Sequence, residues 1–154
     1  MALAAAYVRS KQMDKAAALL REAVAAEPGN VELRMMYGRT LRDQREFPAA
    51  AQEFARAAQA KPDSKDAWSE LAGVLILNEN YPQALMALDK VKELGGSTSA
   101  YFYFRALVLD HQKDYKPALE SYQRFLEMSK GEHPDEEFKA RQRARIIQKE
   151  LSKR

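Results

Sequence analysis

His111 and His133 are the only imidazoles in this chain, and cysteine is absent. Thiol nucleophiles, disulfide frameworks and cysteine-ligated metals are therefore excluded. The histidines lack the HExxH spacing that sets two metal ligands on one helical face, and no GxGxxG loop is present to cradle a phosphate. Gly95-Gly96 reads as the turn that ends a helix. Asp110-His111 is the one acid–imidazole dyad worth naming. Neighbouring residues of a helix point about 100° apart, so these two do not pair directly. A polar helix end accounts for them. The inventory implies no catalytic residue, no cofactor and no metal, and the chain reads as a non-enzyme.

Recognition is the chemistry that remains, and the elements that would carry it show in a period. Ala16, Ala50, Ala84 and Ala118 recur at a spacing of 34, and Met13, Phe47, Tyr81 and Tyr115 precede them by three. A fixed period of this size marks a stacked array in which each unit covers its neighbour's apolar face. Around Ala50 the register runs Tyr37, Gly38 and Leu41 before it, then Phe54, Ala57 and Pro62 after it. Around Ala84 it runs Leu71, Ala72 and Leu75, then Leu88, Val91 and Gly96. Each unit holds two apolar sets at helical spacing, separated by a short polar stretch such as Gln44-Arg45-Glu46. Two antiparallel helices per unit follow, and the chain is all-α. Pro48, Pro82 and Pro117 fall in the first turn of a second helix, where a missing N–H is tolerated. Gly38, Ala72 and Ala106 are expected to face the anchor alanines and let the paired backbones approach. Phe54, Trp68, Tyr81 and Tyr122 are expected to fill the gaps between successive hairpins.

This register resembles the tetratricopeptide repeat family, whose consensus runs Trp, Leu-Gly, Tyr, Ala, Phe, Ala, Pro; Trp68 stands at its first position. The resemblance covers residues 1–132 as four repeats (1–30, 31–64, 65–98 and 99–132). It implies a right-handed superhelical array of antiparallel helix pairs, an α-solenoid. The first repeat lacks three residues and opens inside a helix, as a fragment of a longer array would. The fourth departs from the consensus at Arg105, Phe125 and Lys130, so its far side is expected to meet something other than a repeat. Residues 133–154 supply that as a basic capping helix over 135–152. Asp135, Glu136 and Glu137 suit its N-terminal dipole. Ala140, Ala144, Ile147 and Leu151 form its apolar stripe, with Phe138 and Ile146 alongside.

The chain has 154 residues, 46% of them hydrophobic, which suffices for a continuous core. Residues 1–132 are electrically balanced, so the net charge of +3 belongs to the tail. Arg141, Arg143, Arg145, Lys149, Lys153 and Arg154 could meet nucleic acid or an acidic membrane in a salt-dependent way. No aromatic interleaves with these arginines to stack on bases, so a solvated capping face is preferred and nucleic acid is disfavoured. No apolar run is long enough for a transmembrane helix, and Arg9 and Lys11 follow the apolar start in the wrong order for a signal peptide. The compartment stays unassigned.

The resemblance implies a concave surface lined by first helices, with recognition at positions 2, 5, 9 and 12 of each repeat. Helical geometry gives those positions their own stripe, about 130° from the core stripe. It reads Glu32, Met35, Arg39 and Arg42 in the second repeat, then Asp66, Ser69, Gly73 and Ile76 in the third. In the fourth it reads Ala100, Tyr103, Leu107 and Asp110, and position 6 adds Met36, Glu70 and Phe104. The Lys and Asn residues by which some family members clamp a peptide carboxylate are missing at these positions. An apolar patch edged by charge remains, suited to an extended or helical apolar segment of a protein partner. Met36, Tyr103 and Phe104 are equally placed to pack between adjacent first helices. The expected function is a protein–protein interaction module, a scaffold or adaptor holding a partner peptide or helix. The alternative is an assembly segment that self-associates through its repeat ends.

Overall fold

The computed structural model describes residues 1–153 and is helical throughout: α1 (Ala2–Arg9), α2 (Met13–Ala26), α3 (Val31–Asp43), α4 (Phe47–Ala60), α5 (Lys65–Leu77), α6 (Tyr81–Glu93), α7 (Ser99–His111), α8 (Tyr115–Ser129) and α9 (Pro134–Ser152). Helix starts repeat with the period. Asn30, Ser64 and Thr98 are N-caps whose side chains accept from the backbone N–H of Leu33, Ala67 and Tyr101. Each cap satisfies one of the donors that a helix start leaves open.

The tight turns repeat as well, by a device the sequence does not advertise. Lys11, Arg45, Glu79 and Lys113 all take positive φ, between 57° and 65°. At the α3–α4 turn Arg45 N–H donates to Arg42 O and Glu46 N–H to Leu41 O, and the equivalent pair recurs at the other three. These bonds close off carbonyls at the helix end, the usual work of a left-handed glycine. Here charged side chains accept the strained backbone. Gly95 (φ +76°), by contrast, ends α6 in the expected glycine manner.

The chain forms two compact units, Met1–Asn80 and Tyr81–Arg154. In the first unit Ala4, Leu20, Val24 and Leu33 make a core cluster joined by Leu19, Ala23, Met36 and Tyr37. Ala16 and Ala50 are completely buried, as are Ala84 and Ala118 in the second unit. Gly38 lies against the Phe54 ring rather than an anchor alanine: a Cβ there would stand 2.7 Å from Phe54 Cε1. Close approach is therefore required, but by an aromatic. Phe54 and Tyr122 are fully buried as expected, whereas Trp68 is only partly covered and donates its indole N–H to Pro62 O at 2.9 Å. Arg34 reaches into the same unit and pairs with the buried Glu53 at 2.8 Å.

In the second unit Ala106, Leu109, Ala118, Tyr122 and Phe125 of α7 and α8 pack with Ala140 and Ile147 of α9. The capping helix thus buries the stripe the sequence assigned to it. Phe138 and Ile146 depart from expectation: they are 62% and 45% exposed. On a helix they sit about 180° and about 100° from Ile147, off its buried face. Glu137 lies in the first turn of α9 as expected and also makes buried contacts. It is 2% exposed and accepts from Ser129 Oγ at 2.6 Å, Gly131 N–H at 2.6 Å and Arg141 Nη2 at 2.7 Å. The Ser129 hydroxyl, then the Gly131 amide and Arg141, hold its carboxyl below the usual range against the opposing effect of desolvation. Glu137 so pins the start of α9 to the end of α8, across a turn where Lys130 is left-handed.

Candidate functional site

The expected recognition residues fall in both units and meet different fates. In the first unit α3 carries Glu32, Met35, Met36, Arg39 and Arg42, and α5 carries Asp66, Ser69, Glu70, Gly73 and Ile76. Their N-caps, Asn30 and Ser64, start the two helices in the same register. Arg39 Nε donates to Glu70 Oε1 at 2.7 Å and its Nη2 to Asp66 Oδ2 at 2.8 Å. Arg42 Nη1 donates to Glu70 Oε2 at 2.6 Å, while its Nε and Nη2 reach Asp43 Oδ1 at 3.2 Å. Glu70 is thereby gripped on both oxygens, and the ladder ties α3 to α5.

Beside this ladder lies a half-open cavity of about 630 Å³. Glu32, Met35, Met36, Arg39, Arg42 and Asp66 line it, whereas Ser69, Glu70, Gly73 and Ile76 of the same stripe do not. Met35 is nevertheless only 6% exposed, and Met36 keeps one side against the Ala4–Leu33 cluster. Met36 is thus part packing and part lining. Val8 of α1 and Val31 complete the apolar wall, and Thr40, Asp43, Lys61 and Ser64 also border the cavity. None of those six belongs to the recognition stripe. Val31, Thr40 and Asp43 could have been found only by widening the stripe by one residue, and Val8, Lys61 and Ser64 only by tertiary packing. Ser69 is exposed, Ile76 is partly covered, and a Cβ added at Gly73 would meet nothing within 4 Å.

In the second unit the stripe is drawn into packing. The Tyr103 ring centroid lies 4.9 Å from that of Phe125 and 6.2 Å from that of Phe104. Burial, and then the nearby Glu136, raise the Tyr103 phenol above its ordinary pKa. Phe104 and Leu107 are partly buried. Asp110 is not a free groove carboxylate. Its side chain is 10% exposed, and Arg143 of α9 engages both oxygens at 2.7 and 2.8 Å. Tyr122 donates its hydroxyl to the same carboxylate at 3.1 Å. Burial first, and then Asp110, push the Tyr122 phenol well up, so it stays protonated as a donor. Asp110 therefore locks the cap. Its neighbour His111 stacks on Tyr81, with centroids 4.4 Å apart, and has no part in that lock.

The basic tail is also partly engaged. Arg143 is bound to Asp110, Arg141 to Glu137 and Lys153 to Glu150; Arg154 lies outside the described residues. Among the described residues no group of three or more His, Asp or Glu side chains is placed to hold a metal ion. No described helix is long and apolar enough to cross a membrane.

The paired helices and their period define a helical repeat protein. Residues 1–65 and residues 41–108 each match a tetratricopeptide repeat profile, and the chain belongs to that family. Among solved structures, a crystal structure of MamA superposes with a TM-score of 0.79 at 19% identity, covering 100% of this chain and 99% of that one. MamA from Desulfovibrio magneticus RS-1 (its residues 41 to the end) superposes with a TM-score of 0.78 at 16% identity, covering 96% of this chain and 90% of that one. At such identities the likeness is one of fold. No curated protein sequence matches the chain significantly. At the level of the family, the protein is a scaffold for protein–protein interaction.

Proposed function

We propose that this protein is a non-enzymatic adaptor whose first unit holds a segment of a partner protein in the cavity beside α3. The observation that carries this reading is the convergence of Glu32, Met35, Met36, Arg39, Arg42 and Asp66 on one cavity of about 630 Å³. Concave sites of this size with an apolar wall and a few polar groups are where ligands bind. Methionine adapts its shape to an apolar side chain, and the arginine–carboxylate ladder keeps the rim rigid. In the second unit Tyr103 and Asp110 are held by the core and the cap, so the proposed site centres on the first.

A peptide-library selection on the whole chain tests this, run beside Met36→Glu and Val31→Glu variants. Val31 begins α3, where a carboxylate suits the helix terminus, so this second variant keeps the test independent of damage at Met36. The expected result is a peptide motif enriched by the unaltered protein and lost by both folded variants. No enrichment, or the same enrichment with the variants, overturns the proposal.

Self-association is the second reading, favoured by the 55% exposure of Leu3 on α1. Light scattering would then show a concentration-dependent dimer or larger species that Leu3→Ser abolishes. A monomer at every concentration removes this reading.

A further inference from the structure

The first-unit cavity also has a definite charge preference, an inference that rests on the proposed groove. Most of the arginine donors are occupied before any ligand arrives. Arg42 uses Nε, Nη1 and Nη2 on Asp43 and Glu70, and Arg39 uses Nε and Nη2 on Glu70 and Asp66. An incoming carboxylate would compete for these donors with Glu70, which is held on both oxygens by charge-assisted bonds, and with Asp66. Lys61 is the one other cationic side chain on the lining, which Met1 also borders.

The carboxylates are less fully engaged. Glu32 lines the cavity, is exposed, and takes part in no hydrogen bond or ion pair among the described residues. Asp66 offers a side chain 69% exposed and has one oxygen on Arg39, leaving the other open. Asp43 is 43% exposed, and Arg42 uses only its Oδ1. An arriving ammonium or guanidinium thus finds open acceptor oxygens on three lining carboxylates, whereas an arriving carboxylate finds the Lys61 side chain and the remaining Nη1 of an Arg39 already paired with two carboxylates. The apolar wall of Val8, Val31 and Met36 accompanies both.

We infer that the cavity takes an apolar protein segment bearing a lysine or arginine, and selects against acidic segments and free C-terminal carboxylates. The apolar side chain seats on the valine and methionine wall, and the basic group reaches Glu32 or Asp66. Like-charge juxtaposition excludes the wrong partners, so the selectivity is electrostatic and screened by salt.

The test uses the peptides enriched on the unaltered chain, from a library displayed with both free and amidated C-termini. Enriched sequences should pair Lys or Arg with an apolar residue and bind equally with either terminus. Their affinity should fall at least tenfold on Glu32→Lys and on Asp66→Asn, and Glu32→Lys should turn the selection toward acidic peptides. Enrichment of acidic or free-carboxylate peptides that Val31→Glu still abolishes overturns this inference while leaving the groove standing. Enrichment that Val31→Glu leaves untouched removes the groove itself.

Discussion

The same structural joint is built twice in this chain, with opposite charge order and different surroundings. In the first unit, arginines near the end of α3 reach carboxylates on α5; in the second, a carboxylate near the end of α7 takes an arginine from α9. Arg42 and Asp110 occupy equivalent places, 68 residues apart in a 34-residue period. So α9 stands to α7 as one first helix stands to the previous one, although its sequence is outside the repeats. The difference lies in what surrounds the joint. Arg39 and Arg143 are each 42% exposed, but Glu70 is 19% exposed on the helix facing an open cavity, whereas Asp110 is 10% exposed and receives the Tyr122 hydroxyl too. An open joint can serve recognition. A closed one holds α9 against α7 and α8.

The comparison breaks most sharply at Asp110. Asp110→Ala removes both oxygens from Arg143 and leaves the buried Tyr122 hydroxyl without its acceptor. We expect a loss of about 2–3 kcal/mol, below the ~3–5 kcal/mol of a wholly buried pair because Arg143 can turn to solvent. Denaturant unfolding measures it. A loss under half a kilocalorie would mean that α9 is held by its apolar stripe alone.

Equivalent positions behind the joints should also respond differently. Gly38 and Ala106 share a register, but Gly38 lies beneath the Phe54 ring. Gly38→Ala should destabilise by about 1–2 kcal/mol, because an overpacking penalty of ~1–3 exceeds the helix-propensity gain of up to ~1. If stability instead rises, the Phe54 ring moves more freely than its complete burial implies. Gly73, on the open side of α5, is the control. With nothing near its missing Cβ, Gly73→Ala should stabilise the protein by about 0.5–1 kcal/mol.

The smallest loss is expected in the open joint. Glu70→Ala should cost about 1 kcal/mol, and salt should reduce the cost, because the Arg39 and Arg42 side chains it leaves are partly exposed, so water can take up their charge and screen it. Equal losses for Glu70→Ala and Asp110→Ala would erase the distinction drawn between the two joints.

Much of this was legible in one dimension. The four anchor alanines, the apolar spacing around them and the prolines of the second helices placed every helix pair, because helical burial imposes a fixed period on residue type. Asn30, Ser64 and Thr98 also repeat at 34 residues and could have been read as N-caps. The turn residues could not. Lys11, Arg45, Glu79 and Lys113 carry no glycine or asparagine to signal a left-handed backbone. Of the recognition stripe, Glu32, Met35, Met36, Arg39, Arg42 and Asp66 line the first-unit cavity while Ser69, Glu70, Gly73 and Ile76 do not, and spacing was silent on Val8 of α1 and on Lys61 just past the end of α4.

The sequence by itself determined the helical period, the anchors and the stripe of α9, since each follows from spacing along one helix. Only the tertiary structure decided which charges would meet. Arg143 finds Asp110, 33 residues away, and Glu137 turns inward to Ser129 while Phe138 turns out. Ion pairing and exposure depend on how helices are rotated and set against one another, and that rotation is fixed by packing side chains from several helices at once.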